Sequence, residues 1–183
     1  MSEEQLINEI KANPDRFSQV YDEHYQRIFN YCFKRTKDFD ASKDIVSETF
    51  LKAFLYIDGF VWKGISLQSW LYRIATNEIN LHFRSKKYRP RLLNEIGSSQ
   101  IVVLNHSDLL SEREVAKQEM ERHKEFIRVQ KEVAKLPVKY QDVITLKYFE
   151  KLKIKEISGI LNKPEGTIKS LLSRGINQLK QRL

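Results

Sequence analysis

The chain has little of what holds small proteins together covalently or through metals. Its 183 residues include a single cysteine, Cys32, which excludes an intramolecular disulfide and any multi-cysteine zinc site. Its four histidines (His24, His82, His106, His123) show no metal-ligand spacing. A His-Glu-x-x-His pair, a glycine-rich phosphate loop and a Gly-x-Ser-x-Gly elbow are all missing. The sequence therefore offers no foothold for catalysis and reads as a non-enzyme with no metal and no cofactor. Six glycines and four prolines suit a helix-rich chain with few tight turns. No apolar run approaches the roughly 20 residues needed to span a bilayer. The start, Met1-Ser2-Glu3-Glu4, lacks the basic and apolar regions of a secretory signal, which predicts a cytoplasmic protein without membrane insertion.

What the chain does have is charge, unevenly placed. The net charge is +8 and the pI about 9.5. Residues 1–80 hold 10 Lys/Arg against 12 Asp/Glu, whereas residues 81–183 hold 22 against 12. This asymmetry suits a nucleic-acid-facing half joined to a half with another partner. A solvated basic surface is the alternative, and charge by itself does not choose. An apolar content of 41% and a length of 183 residues fit one large globular domain or two small ones.

Apolar spacing predicts helices throughout. From Phe17, the residues Tyr21, Tyr25, Ile28, Phe29 and Cys32 trace one helical face, which makes Cys32 a buried thiol. Asp38-Phe39-Asp40 breaks that pattern. A second helix is expected from about 41 to 57, with Val46, Phe50, Ala53, Phe54 and Ile57 inside and Asp44 and Glu48 in its first turns. A loop follows between Gly59 and Ser66. A third helix is expected from about 67 to 86, with Trp70, Leu71, Ile74 and Leu81 inward. Tyr88 to about Ser111 is mixed, with a lone apolar run at 101–104 that reads as linker or as a short buried strand. A charged helix then runs to about 135, Leu136-Pro137 interrupts it, and 138–149 forms another with Val143, Ile144 and Leu146 inside.

The C-terminal stretch carries the sharpest pattern. Two helical segments, 153–161 and 165–182, flank the breaker Asn162-Lys163-Pro164-Glu165-Gly166. That layout matches a helix–turn–helix, whose second helix enters a DNA major groove. Ile154, Ile157 and Leu161 face Ile168, Leu171, Leu172, Ile176 and Leu179. Pro164 suits a helix start, Gly166 suits a close approach at the turn, and Thr167 can satisfy free N–H groups. Lys169, Ser170, Ser173 and Arg174 share one polar sector near the N-terminal end, where base edges are met in such units. Nine Lys/Arg against three Glu over 147–183 suit phosphate neutralisation. An amphipathic hairpin with a solvated basic face is the bland alternative.

Together the two halves resemble bacterial RNA polymerase sigma factors of the extracytoplasmic-function (ECF) group. In the first half the resemblance rests on Asp44-Ile45-Val46-Ser47-Glu48-Thr49-Phe50-Leu51-Lys52-Ala53-Phe54 and on Trp70-Leu71-Tyr72-Arg73-Ile74-Ala75-Thr76-Asn77 followed by Arg84. In the second it rests on Leu136-Pro137, Glu156-Ile157, Gly166-Thr167-Ile168-Lys169-Ser170 and Ser173-Arg174. Four residues depart from the usual pattern. Ser47 stands for glutamine, Ser158 for alanine, Leu171 for a basic residue of the reading helix, and Lys153 for a serine or threonine cap.

The resemblance implies an all-α fold of two small helical domains joined by a flexible linker. Residues 1–88 would bind polymerase and the −10 element, 89–111 would link, and 112–183 would read the −35 element. Asp44, Glu48, Phe50 and Lys52 would dock on the β′ clamp of core RNA polymerase, with Phe50 open to a pure core role. Phe60, Trp62, Lys63, Asn77, Arg84, Lys86 and Lys87 would hold the unpaired −10 strand by stacking and phosphate contact, with Trp62 open to a packing role. Lys147, Thr167, Lys169, Ser170, Ser173 and Arg174 would meet the −35 duplex. Partners would be core polymerase, promoter DNA and an anti-sigma factor. The competing readings are a stand-alone helix–turn–helix regulator and an interaction protein that never touches DNA.

Overall fold

The computed structural model describes residues 3–60, 66–88 and 126–183, and no strand occurs among the described residues. The first domain comprises α1 (Glu3–Ala12), α2 (Phe17–Thr36), α3 (Phe39–Tyr56) and α4 (Leu67–Tyr88). The second comprises α5, described over residues 126–134, then α6 (Val138–Ile144), α7 (Ile154–Leu161) and α8 (Glu165–Lys180). A π-helical turn, Thr145–Phe149, extends α6. The expected linker, 89–111, and most of the charged helix after it lie outside the described residues.

Helix ends follow local chemistry. The Asp38 side chain accepts the Ala41 N–H at 3.0 Å, so α3 begins at Phe39, two residues earlier than periodicity predicts. Lys37 and Asn162 end α2 and α7 in the left-handed region, at φ 56° and 51°. Lys153 gives α7 no side-chain cap, but Glu156 reaches back to accept the Lys153 N–H at 2.7 Å, half of a capping box.

Helix α1 is not legible as an element in the spacing, because only Ile7 and Ile10 are fully inside. The buried face of α2 is also rotated from the expected one. Val20, His24, Ile28, Tyr31, Cys32 and Arg35 are buried, while Tyr21 is exposed. Leu81 and Phe54, both expected inside, are 46% and 42% exposed. Cys32 is fully buried, and burial pushes its thiol up to about 12.

The two domains share a seam rich in polar groups. The Arg35 guanidinium, on the last turn of α2, donates to Gln141 and, at 2.6 Å, to Asp142, both on α6. Gln141 is itself fixed, because its amide donates to the carbonyls of Ala134 and Leu136 at the α5–α6 turn. Lys34 pairs with Glu150 at 2.9 Å, and the Tyr72 hydroxyl donates to the other Glu150 oxygen at 2.7 Å. Helix α7 lies against α4 across the same seam.

Candidate nucleic-acid interface

Helix α8 is presented as the sequence suggests. Its buried side is Ile168, Leu172 and Gly175, with Leu171, Ile176 and Leu179 half-buried beside them. On the opposite side Thr167, Lys169, Ser170, Ser173 and Arg174 are all exposed. Lys169, Ser173 and Arg174 have no hydrogen bond or ion pair to other described residues, so their donors are free for a ligand. Ser170 differs, because its hydroxyl donates to the Gly166 carbonyl at 2.9 Å and is left as an acceptor. Lys147 is half-buried, and its ammonium donates to the Leu152 carbonyl at 3.3 Å. It braces the turn before α7 rather than standing free.

Gly166 is not required by any close approach among the described residues. A Cβ built there would meet nothing within 4 Å, and its φ is ordinary. The expected tight approach at the turn is therefore absent from the fold itself. Gly175 is the opposite case. A Cβ there would lie 3.1 Å from Ile144 Cδ1 and 3.2 Å from Tyr140 Cβ, so α8 and α6 touch through the glycine.

The other surface lies between the end of α3 and the start of α4. A cleft of about 460 Å³ is lined by Leu55, Tyr56, Phe60, Trp70 and Arg73 and, from α7, by Gly159. Tyr56 is 65% exposed and Arg73 is exposed, so the lining includes an open aromatic ring and a cation. Sequence reasoning missed Tyr56 and Arg73 as site residues. Both stand in plain view in the sequence, but only the fold brings the end of one helix beside the start of the next. Asn77 and Arg84 are exposed further along α4, and Arg84 Nε reaches the Asn80 carbonyl at 3.4 Å. Lys86 and Lys87 continue that helix, but their side chains lie outside the described residues, as do Trp62 and Lys63 altogether.

Phe60 requires a correction. It is 8% exposed and packs on Trp70 with ring centroids 4.7 Å apart, so it supports the cleft rather than offering a free stacking face. Helix α1 is tied to the chain on both sides of residues 61–65, at Phe60 and at Leu67. Lys11 donates to the Phe60 carbonyl at 2.8 Å, and Glu3 accepts the Leu67 N–H that opens α4.

On α3, Asp44 is exposed and Glu48 half-exposed. Lys52 bridges Glu48 at 3.1 Å and Glu78 at 2.8 Å, which ties α3 to α4 and holds its ammonium charged. Phe50 is the second correction. It is 3% exposed and rings with Tyr21 at 4.9 Å, so it is core and presents no surface. The apolar surface of α3 comes instead from Leu51, Leu55 and Tyr56, which are 52%, 61% and 65% exposed. Among the described residues no cluster of side chains could hold a metal ion, and no helix is long and apolar enough to cross a membrane.

A free basic reading helix in a helix–turn–helix, beside a second domain with an aromatic cleft, defines a DNA-binding transcription protein. Two family descriptions match the chain in order, "Sigma-70 region 2" over residues 20–89 and "Sigma-70, region 4" over residues 126–179. The ECF RNA polymerase sigma factor SigW of Bacillus subtilis (strain 168) is 31% identical over 173 residues, covering 94% of this chain and 91% of that protein. The chain belongs to the ECF sigma factors and acts in promoter-specific initiation of transcription. Its fold resembles that of CnrH solved with the cytosolic domain of CnrY, at TM-score 0.67 and 18% identity over 98% of this chain and 95% of that one. It also resembles that of RpoE solved with the anti-sigma factor NepR from Bartonella quintana, at TM-score 0.63 and 21% identity over 90% and 94% of the two chains.

Proposed function

We propose that the chain directs core RNA polymerase to a subset of promoters through two separated DNA contacts and one protein contact. Lys169, Ser173 and Arg174 on α8 read the −35 duplex, with Thr167 and Ser170 beside them and Lys147 supporting the turn. The cleft of Tyr56, Trp70 and Arg73, with Asn77, Arg84, Lys86 and Lys87 along α4, takes the unpaired −10 strand. Trp62 and Lys63, which lie outside the described residues, complete the set assigned to that strand. Asp44 and Glu48, with the apolar stripe Leu51–Leu55–Tyr56, meet the polymerase clamp. Melting is driven by binding: unstacking a base costs a few kcal/mol, and a cleft that takes bases only when unpaired offsets that cost. The chain performs no chemistry, works in the cytoplasm and is held by an anti-sigma factor when inactive.

The observation that carries this reading is the pair of exposed ligand-ready surfaces on a chain that matches both sigma-70 regions in order. Reconstituted transcription with core enzyme and a promoter library tests it. The expected result is initiation at a defined subset of templates that core alone ignores. No initiation above core alone, combined with tight duplex binding by the free protein, would make it a stand-alone regulator.

A further inference from the structure

A second cleft, of about 330 Å³, lies where α1, α2 and the start of α4 meet. Its walls include Glu3 and Leu6 of α1, Glu23 and His24 of α2, and Leu67 and Gln68 of α4. None of these residues belongs to the DNA or polymerase surfaces. The volume falls at the lower end of the range for small-molecule sites, roughly 300–1,000 Å³.

His24 is the wall residue that lacks a partner. It is 8% exposed, yet its ring makes no hydrogen bond to other described residues. A polar ring taken out of water without a partner costs free energy, and buried polar groups in folded proteins are rarely left so. Burial lowers its pKa more than the Glu23 and Glu3 carboxylates raise it, and Arg27 adds to the lowering, so the ring is neutral near pH 7. A neutral imidazole offers one N–H donor and one bare nitrogen that accepts.

The charges around that ring decide the sign of a ligand. Glu3 and Glu23 are negative and Arg27 is positive, which leaves one negative charge in excess beside His24. Arg27 is already engaged, since its guanidinium donates to Gln68 Oε1 at 2.8 Å. Glu3 accepts the Leu67 N–H and so holds its carboxylate at the start of α4. Among the described residues no lysine or arginine lines the cleft. An anion would meet two carboxylates there, whereas a monocation would offset the excess. A metal ion does not fit, because no three metal-ligating side chains among the described residues are grouped to hold one. An ammonium does fit: its N–H groups can donate to both carboxylates and to the bare imidazole nitrogen. Leu67, 1% exposed, and half-buried Leu6 supply the apolar part of the wall.

We propose that this cleft binds a small organic monocation, an alkylammonium whose head lies among Glu3, Glu23 and His24 and whose short apolar body rests on Leu6 and Leu67. Binding stands independently of the function proposed above.

The test titrates the full nitrogen-labelled chain with n-butylammonium at constant ionic strength, followed by NMR. The neutral and anionic comparators are n-butanol and butyrate. Saturable shifts of the Glu23, His24 and Leu67 amides and of the His24 ring protons are expected with butylammonium, and no saturation with butanol or butyrate. Butylammonium should also raise the melting temperature as the site fills. Glu23→Gln should weaken binding about fivefold. His24→Phe, which removes the accepting nitrogen, should weaken it at least as much. Asp22→Asn removes an exposed carboxylate outside the cleft and should leave binding unchanged. If His24→Phe fails to fold, Glu23→Gln, at an exposed position, decides alone. Shifts that rise linearly without saturating would overturn the proposal. So would equal losses in Asp22→Asn and Glu23→Gln, which mark general attraction to an acidic surface, or butanol binding as tightly as butylammonium.

Discussion

Gly166 is the residue whose surroundings say most about an absent partner. A helix position with open space around it normally gains about 1 kcal/mol from alanine, because glycine carries more backbone freedom to lose. Nothing among the described residues opposes that gain. Gly166→Ala is therefore expected to raise the melting temperature slightly. On the proposed reading it should also weaken binding to a −35 duplex, because the added methyl would stand between the helix N-terminus and the phosphates. Higher stability with unchanged DNA affinity would remove the backbone approach from the reading. Lys169 and Arg174 act through side chains instead. Lys169→Ala and Arg174→Ala should each cost ~1–3 kcal/mol of −35 affinity if the lost group contacts a base. Measured on duplexes with single-base changes, a base contact relaxes specificity at one position and a phosphate contact lowers affinity on all.

Among the elements, α6 and α8 approach through Gly175, and α1 reaches the two ends of the cleft loop. Gly175→Val would press into Ile144 and Tyr140, and should cost about 1–3 kcal/mol of stability. Urea unfolding reads this directly, and a neutral result would mean that the two helices can slide apart. Helix α1 lies before residue 20, where the region 2 match begins. Lys11→Met and Glu3→Ala each remove one of its holds on residues 60 and 67. Both variants should slow open-complex formation, followed by permanganate reactivity of unpaired thymines, while −35 duplex binding stays unchanged. Equal loss of both activities would assign α1 to general folding.

The whole molecule separates two kinds of electrostatics. The charges of α8 face water, so DNA affinity should fall steeply with salt as counterion release is lost. The seam charges of Arg35, Asp142 and Glu150 are buried, and screening barely reaches them. Raising salt from about 50 to about 200 mM should cut −35 affinity by at least tenfold. An affinity that holds at the higher salt would remove phosphate neutralisation from the role given to α8.

Much of this is legible from residue order. Spacing alone locates α2, α3, α4, α7 and α8 to within a few residues, and the same spacing picks out the polar sector of α8. Periodicity misplaces what depends on neighbours. Tyr21 and Leu81 look internal on a helical wheel, yet they face water because their helices are turned toward partners elsewhere in the chain. Phe50 and Phe60 read equally as contact or core, and packing against Tyr21 and Trp70 makes them core. Helix α1 carries too few apolar positions to be seen.

By itself the sequence determined the helical class, the order of the two halves, the excess of positive charge in the second half and the exposed polar face of α8. These follow from local spacing and local charge, which each helix carries alone. Only the tertiary structure decided that Tyr56 and Arg73 share a cleft, that Lys11 and Glu3 brace its loop, and that Arg35 meets Asp142 across more than a hundred residues of chain. Such pairings depend on which helix faces meet after burial of the core. A buried arginine is stable only where the fold brings a carboxylate to it.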